Sequence, residues 1–177
     1  DANGGEILEP TDAVIASPPM VKIEAGAQQQ FRVMRVKPSD KQAEEAYRLI
    51  VDELPAPDAK PRKGIQLVMR YSLPLFVNVQ NNAKPKLQWR AEKAANGKTV
   101  LVAENTGNAH AQLSNITFQT TSAKDALTLA SGLAGYVLPG NTWKRELEVS
   151  PASLNQGRLN ATVNGMPIQT EVRFAAP

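Results

Sequence analysis

Residues 64–77 read Gly64-Ile65-Gln66-Leu67-Val68-Met69-Arg70-Tyr71-Ser72-Leu73-Pro74-Leu75-Phe76-Val77. Every odd position from Ile65 to Val77 is apolar or aromatic, while the even positions mix Gln66, Arg70 and Ser72 with Val68, Pro74 and Phe76. Successive side chains of a strand point to opposite faces, so this spacing predicts one strand with a continuous apolar face. The run is far longer than the usual strand of about 5–6 residues. Two readings of it stand side by side. In the first it is a central strand buried on one face. In the second, part of it lies at a sheet edge, where Pro74 is tolerated because proline cannot donate to a ladder. A long apolar edge is an aggregation hazard, so a protein that keeps one has a use for it, such as adding a strand to another protein's sheet.

Outward from this stretch the chain is strands and turns. Its 177 residues include 11 glycines and 13 prolines, scattered as punctuation between short β-branched runs. These runs are Val14–Ala16, Phe31–Val36, Tyr47–Val51, Ile65–Val79, Thr99–Ala103, Ile116–Gln119, Thr142–Val149 and Gly157–Phe174. Several alternate apolar with polar residues, the two-residue period of half-buried strands. Asn164-Gly165 between two such runs signals a tight hairpin. Asp40–Leu54 starts with helical composition, then turns to Tyr47-Arg48-Leu49-Ile50-Val51, which prefers strand. Ala123–Leu133 reads as a loop holding a short strand, with a helical turn as the alternative. Ala56–Lys63 is polar, charged and broken by proline, a mobile loop between two strands. The Asn-rich stretch after Val77 marks a domain boundary. The strand spacing therefore predicts an all-β chain of two small sandwiches, 1–80 and 81–177.

Composition excludes several functions. There is no cysteine and only one histidine, which removes thiol chemistry, disulfides and multi-histidine metal sites. Lys and Arg number 20 against 17 Asp and Glu, without a basic run of the kind nucleic acid requires. No stretch of about 20 apolar residues is present to span a membrane. Ser72, Ser114 and Ser122 lack the nucleophile elbow. Asp52 and Glu53 are adjacent, so on a strand they face opposite ways and form no acid–base pair. His110 reads as a structural or surface residue in a turn, and Trp89 and Trp143 as core or cleft residues of the second sandwich. No catalytic residue, cofactor or metal site is expected.

Glu44-Glu45-Ala46-Tyr47-Arg48-Leu49-Ile50-Val51-Asp52-Glu53-Leu54-Pro55 followed by Gly64–Val77 resembles strands F and G of the periplasmic pilus (fimbrial) assembly chaperones of the chaperone–usher pathway. The resemblance continues through Leu87-Gln88-Trp89, Asn105-Thr106-Gly107-Asn108-Ala109-His110 and Gly135-Tyr136-Val137-Leu138-Pro139-Gly140, and is nearer the archaic, Csu-type branch than the P-pilus branch. It implies two immunoglobulin-like β-sandwiches in an L-shaped arrangement, with the binding cleft between them. It implies donor-strand complementation, in which strand G fills the gap in an unfinished pilin. Ile65, Leu67, Met69 and Tyr71, with Leu73, would then enter the pilin groove. The implied partners are pilin subunits and an outer-membrane usher, in the periplasm, with no nucleic acid and no membrane insertion. An exposed edge also permits self-association of the free chain.

The resemblance further implies that Glu44 corresponds to the signature glutamate before strand F, and that Ala56–Lys63 is the flexible F–G connection, ordered by a bound subunit. Two positions depart from the P-pilus branch. Ile50 stands where that branch has asparagine, and Pro74 stands where it has the lysine that anchors the pilin's C-terminal carboxylate. A carboxylate entering a cleft still needs a cation, and Arg48 is the first candidate, Arg70 the second, with solvated strand-face arginines as the plain alternative. The family begins with two or three strands before the position matching Asp1, so the first sandwich is expected to lack its N-terminal strands in this chain, with residues disordered, cleaved or displaced. The rival to a chaperone is a structural or adhesive β-sandwich pilus subunit, which would carry an N-terminal donor extension and one domain.

Overall fold

The computed structural model describes residues 6–39, 41–55, 65, 67–77, 81–94, 96–120, 126–147 and 156–173. Among them the chain is all-β. The strands are β1 (Val14–Ser17), β2 (Arg32–Arg35), β3 (Glu45–Asp52), β4 (Arg70–Val77), β5 (Leu87–Lys93), β6 (Thr99–Asn105), β7 (Ala111–Thr120), β8 (Leu127–Val137), β9 (Thr142–Leu147), β10 (Gln156–Val163) and β11 (Met166–Arg173). The chain divides into two compact units, Asp1–Lys41 and Gln42–Pro177.

The first unit is a short antiparallel ribbon, β1 on β2, in register from Val14↔Arg35 to Ser17↔Arg32. The Val36 amide donating to the Ala13 carbonyl continues the ladder past its end, and Lys37 closes on Asp12 there. Ile15 and Met34 pair across it and both remain exposed.

The second unit holds a sandwich of two sheets, β11-β10-β7-β8 and β5-β6-β9, and a separate ribbon of β3 on β4. The sandwich core follows from alternation. Leu101 and Ala103 on β6 meet Ala111, Leu113, Ile116 and Phe118 on β7 and Leu159, Ala161 and Val163 on β10 in one cluster. Leu113 and Ile116 are an odd number of residues apart, yet both are buried. The register shifts around Asn115, whose φ is 49°, reconcile them: a bulge inserts one residue and returns the next side chain to the core. Trp89 and Trp143 lie edge to face, 6.4 Å between ring centroids, against the cluster.

The Asn164-Gly165 hairpin is present. β10 and β11 pair from Gln156↔Arg173 to Val163↔Met166, and both turn residues have positive φ, 49° and 79°, as a two-residue turn between twisted strands requires. The strand reading of Tyr47–Val51 holds: β3 begins at Glu45, where pairing with β4 overrides the helical composition ahead of it. Two expectations need correction. The stretch 123–133 holds the first part of a long strand, β8, that pairs with β7 and reaches Val137, because β7 supplies a partner ladder. The single strand expected from Gly64 starts only at Arg70. Residues 56–63, and 78–80 beside the expected boundary at 80/81, lie outside the described residues.

Candidate functional site

The β3–β4 ribbon pairs antiparallel without a shift from Glu45↔Val77 to Asp52↔Arg70. Residues directly opposite share a face. One face therefore carries Tyr47, Leu49 and Val51 with Tyr71, Leu73 and Leu75, and the other carries Ala46, Arg48 and Ile50 with Ser72, Pro74 and Phe76. β4 has no strand partner but β3 among the described residues. Its apolar residues are not sealed inside the molecule: Tyr71 is 50 % exposed and Leu73 47 %.

Ahead of β4 the chain leaves the ladder, and the reason is local. The Glu53 amide donates to the Met69 carbonyl at 2.8 Å. The Met69 amide, however, donates to the Glu53 side-chain Oε2 at 3.0 Å rather than to the backbone. Two residues on, Pro55 has no N–H to continue pairing. Ile65, Leu67 and Met69 thus lie outside any strand and are 93, 84 and 53 % exposed. Val68, which the sequence reading did not single out, is 50 % exposed as well.

The two arginine candidates share a face but stand apart. Arg70 is held at the end of the ribbon by Asp52, Nε to Oδ1 at 2.5 Å and Nη2 to Oδ2 at 2.9 Å. That fork holds the Asp52 carboxyl below its ordinary range, chiefly through the hydrogen bond. Arg48 sits four pairs along the ribbon, half-buried and directly opposite Pro74, roughly 13 Å away at strand rise.

The other end of the ribbon is clasped to the sandwich. Phe76 stacks on His110, ring centroids 3.6 Å apart and planes within 10°, and tilts against Tyr136 at 5.4 Å. The His110 backbone N–H donates to Glu44 Oε1 at 2.9 Å, and the ring Nδ1 lies 2.6 Å from the same oxygen. Only 1 % of the Glu44 side chain is exposed, and a buried carboxylate persists only when paired and hydrogen-bonded. The Asn105–His110 turn that presents His110 is pinned by Asn105, whose amide binds Ala109, Val137, Lys86 and Gly107. Gly107 has to be glycine: a Cβ there would lie 2.4 Å from the Lys84 carbonyl oxygen. Sequence reading had Glu44 and His110 separately; the ring stack joining them to β4 depends on packing and carries no local signal.

Among the described residues no three His, Asp or Glu side chains gather as a metal site, and no helix is long and apolar enough to cross a membrane.

Comparison with curated protein sequences gave no match. Residues 2–81 match the family model of the PapD N-terminal domain, the pili and flagellar-assembly chaperones. Among solved structures the chain is similar to one in the CsuC–CsuE chaperone–tip adhesion subunit pre-assembly complex, from the archaic chaperone–usher Csu pili of Acinetobacter baumannii. Identity is 28 %, the TM-score is 0.62, and the match covers 94 % of this chain and 76 % of that one. The Pseudomonas aeruginosa CupB2 chaperone shares the fold at 14 % identity and TM-score 0.53, over 90 % of this chain and 73 % of that one. A chain of the chaperone–tip adhesin complex of CFA/I fimbriae biogenesis does so at 17 % and 0.52, over 91 % and 72 %. PapD-like chaperones have two immunoglobulin-like domains, and the all-β architecture agrees with theirs. The family match over 2–81 and the likeness in fold along nearly the whole chain support a pilus-assembly chaperone.

Proposed function

We propose that the chain binds and stabilises pilin subunits by donor-strand complementation through residues 64–77 and delivers them to an outer-membrane usher in the periplasm. The observation that carries this reading is the row Ile65, Leu67, Met69, Tyr71 and Leu73, exposed on a segment whose outer flank no strand occupies among the described residues, within the span 2–81 that matches the chaperone family. Burial of an apolar side chain contributes about 1.5–3 kcal/mol, so this row, with a new backbone ladder, is enough to stabilise an unfinished sandwich after ordering costs are met. No bond is made or broken, and the protein acts by binding, not catalysis. The subunit-binding part is 1–80 and the second sandwich 81–177; the family span ends beside that division. The exposed edge gives the free chain a reason to self-associate.

Co-expression distinguishes this from the pilus-subunit alternative. A chaperone is expected to elute with a co-expressed pilin subunit as a one-to-one complex, read by size-exclusion chromatography and native mass. Self-polymerisation without a one-to-one complex would favour the subunit reading.

For the subunit's C-terminal carboxylate we assign Arg48 as anchor ahead of Arg70. Arg48 stands half-buried and directly opposite Pro74, the position at which the P-pilus branch has its anchoring lysine. Arg48→Ala is expected to weaken subunit capture about 10–100-fold, the loss of a charge-assisted hydrogen bond. Unchanged affinity in a titration with purified subunit would move the anchor elsewhere.

A further inference from the structure

The ladder between β3 and β4 has a phase, and the phase decides which backbone groups of β4 are left over. Because the Glu53 amide donates to the Met69 carbonyl, these two residues occupy a position where the strands bond each other. Bonded and non-bonded positions alternate along an antiparallel pair, and the register runs without a shift. Tyr71, Leu73, Leu75 and Val77 therefore aim their N–H and C=O groups at β3. Arg70, Ser72, Pro74 and Phe76 aim theirs at the opposite flank, which no strand occupies among the described residues. Three of these four offer that flank a donor and an acceptor. Pro74 offers an acceptor alone, because its nitrogen is closed into the ring. The missing donor costs the β3 ladder nothing, since it faces away.

Exposure changes at the same residue. Arg70 through Pro74 are exposed, and Leu75, Phe76 and Val77 are half-buried, with Phe76 stacked on His110. The strand is thus divided into an open part and a docked part, and the residue without an outward donor stands at the junction.

We propose that Pro74 is a stop on the open edge of β4: the strand of a captured pilin subunit pairs along Val68, Arg70 and Ser72 and ends before Phe76. The proposal rests on the reading of 64–77 as the subunit-binding edge and deepens it by setting the length and register of the docked strand. A subunit carbonyl brought opposite Pro74 loses water and finds no N–H in exchange. Edge prolines limit pairing in just this manner. Ending the docked ladder here leaves the clasp of Phe76 on His110 undisturbed while the subunit comes and goes.

Amide hydrogen exchange on the one-to-one complex with a co-expressed pilin subunit tests the stop. Relative to the free chain, the amides of Val68, Arg70 and Ser72 are expected to slow by at least about tenfold, and that of Phe76 to stay as it was. If Phe76 slows as much as Ser72, the ladder runs past the proline and the stop is wrong, while subunit binding through this edge survives. If Val68, Arg70 and Ser72 do not slow in a complex that does form, the edge is not the binding site and both ideas fall. Pro74→Ala supplies the absent donor. It is expected to slow subunit dissociation about fivefold, one hydrogen bond's worth, and to extend protection to Phe76. The free chain should melt at the same temperature or slightly lower, because removing proline frees the unfolded chain. A variant whose melting temperature changes while dissociation and Phe76 exchange do not would overturn the proposal in favour of a purely structural proline.

Discussion

Leu67→Glu or Met69→Glu is expected to abolish recovery of a co-expressed pilin subunit while leaving the chain folded. Leu67 is 84 % exposed and Met69 53 %, and neither lies in a strand. A glutamate at either position meets water in the free molecule, so melting temperature and far-ultraviolet dichroism should match the parent. In the complex the same side chain would have to enter an apolar groove. The substitution loses about 1.5–3 kcal/mol of burial and adds the cost of dehydrating an unpaired carboxylate, several kcal/mol in real proteins. Binding should fall by about a thousandfold or more, since each 1.4 kcal/mol is tenfold, which leaves nothing to recover in a pull-down. Normal yields from both variants would mean that 64–77 is not the donor.

Asn105→Ala is expected to destabilise strongly the turn that supports the clasp. The side chain is wholly buried and uses its full capacity. Its Nδ2 donates to the Ala109 carbonyl at 2.7 Å and the Val137 carbonyl at 2.9 Å. Its Oδ1 accepts from the Lys86 and Gly107 amides, both at 3.0 Å. Alanine leaves four backbone groups without that partner, each worth about 1–3 kcal/mol if water cannot replace it. With partial rehydration a loss of about 3–5 kcal/mol is expected, or a fall in melting temperature of roughly 10 °C for a chain of this size. Calorimetry is the measurement. A shift under about 2 °C for the alanine variant would mean that the turn is held by something else.

Much of the second sandwich was legible because its signals are local. Asn164-Gly165 needs only its own positive φ values to make a hairpin, and the alternation of β9 and β10 needs only period two. β8 was harder to read. Its sequence, Leu-Thr-Leu-Ala-Ser-Gly-Leu-Ala-Gly-Tyr-Val, is rich in small residues, with Gly132 at φ 68° and Gly135 at φ 142°, so its strand character depends on β7 beside it. The start of β4 misled for the opposite reason. Ile65 to Met69 carries a strong period-two signal, yet the partner strand stops at Asp52, and Glu53 caps Met69 with its side chain.

For the candidate site the same division holds. The apolar row, the two arginines, the signature glutamate and the turn around His110 are all visible as residue types and spacings, because alternation, charge and turn propensity are properties of neighbouring residues. Which flank of β4 is left open, that Arg70 is already tied to Asp52, that Arg48 faces Pro74, and that Phe76 and His110 stack came only from the tertiary structure. Each of these depends on which strand lies beside which, and in what register. A backbone group is bonded or left over according to a partner distant in sequence, and no short window of residues contains both halves of that pair.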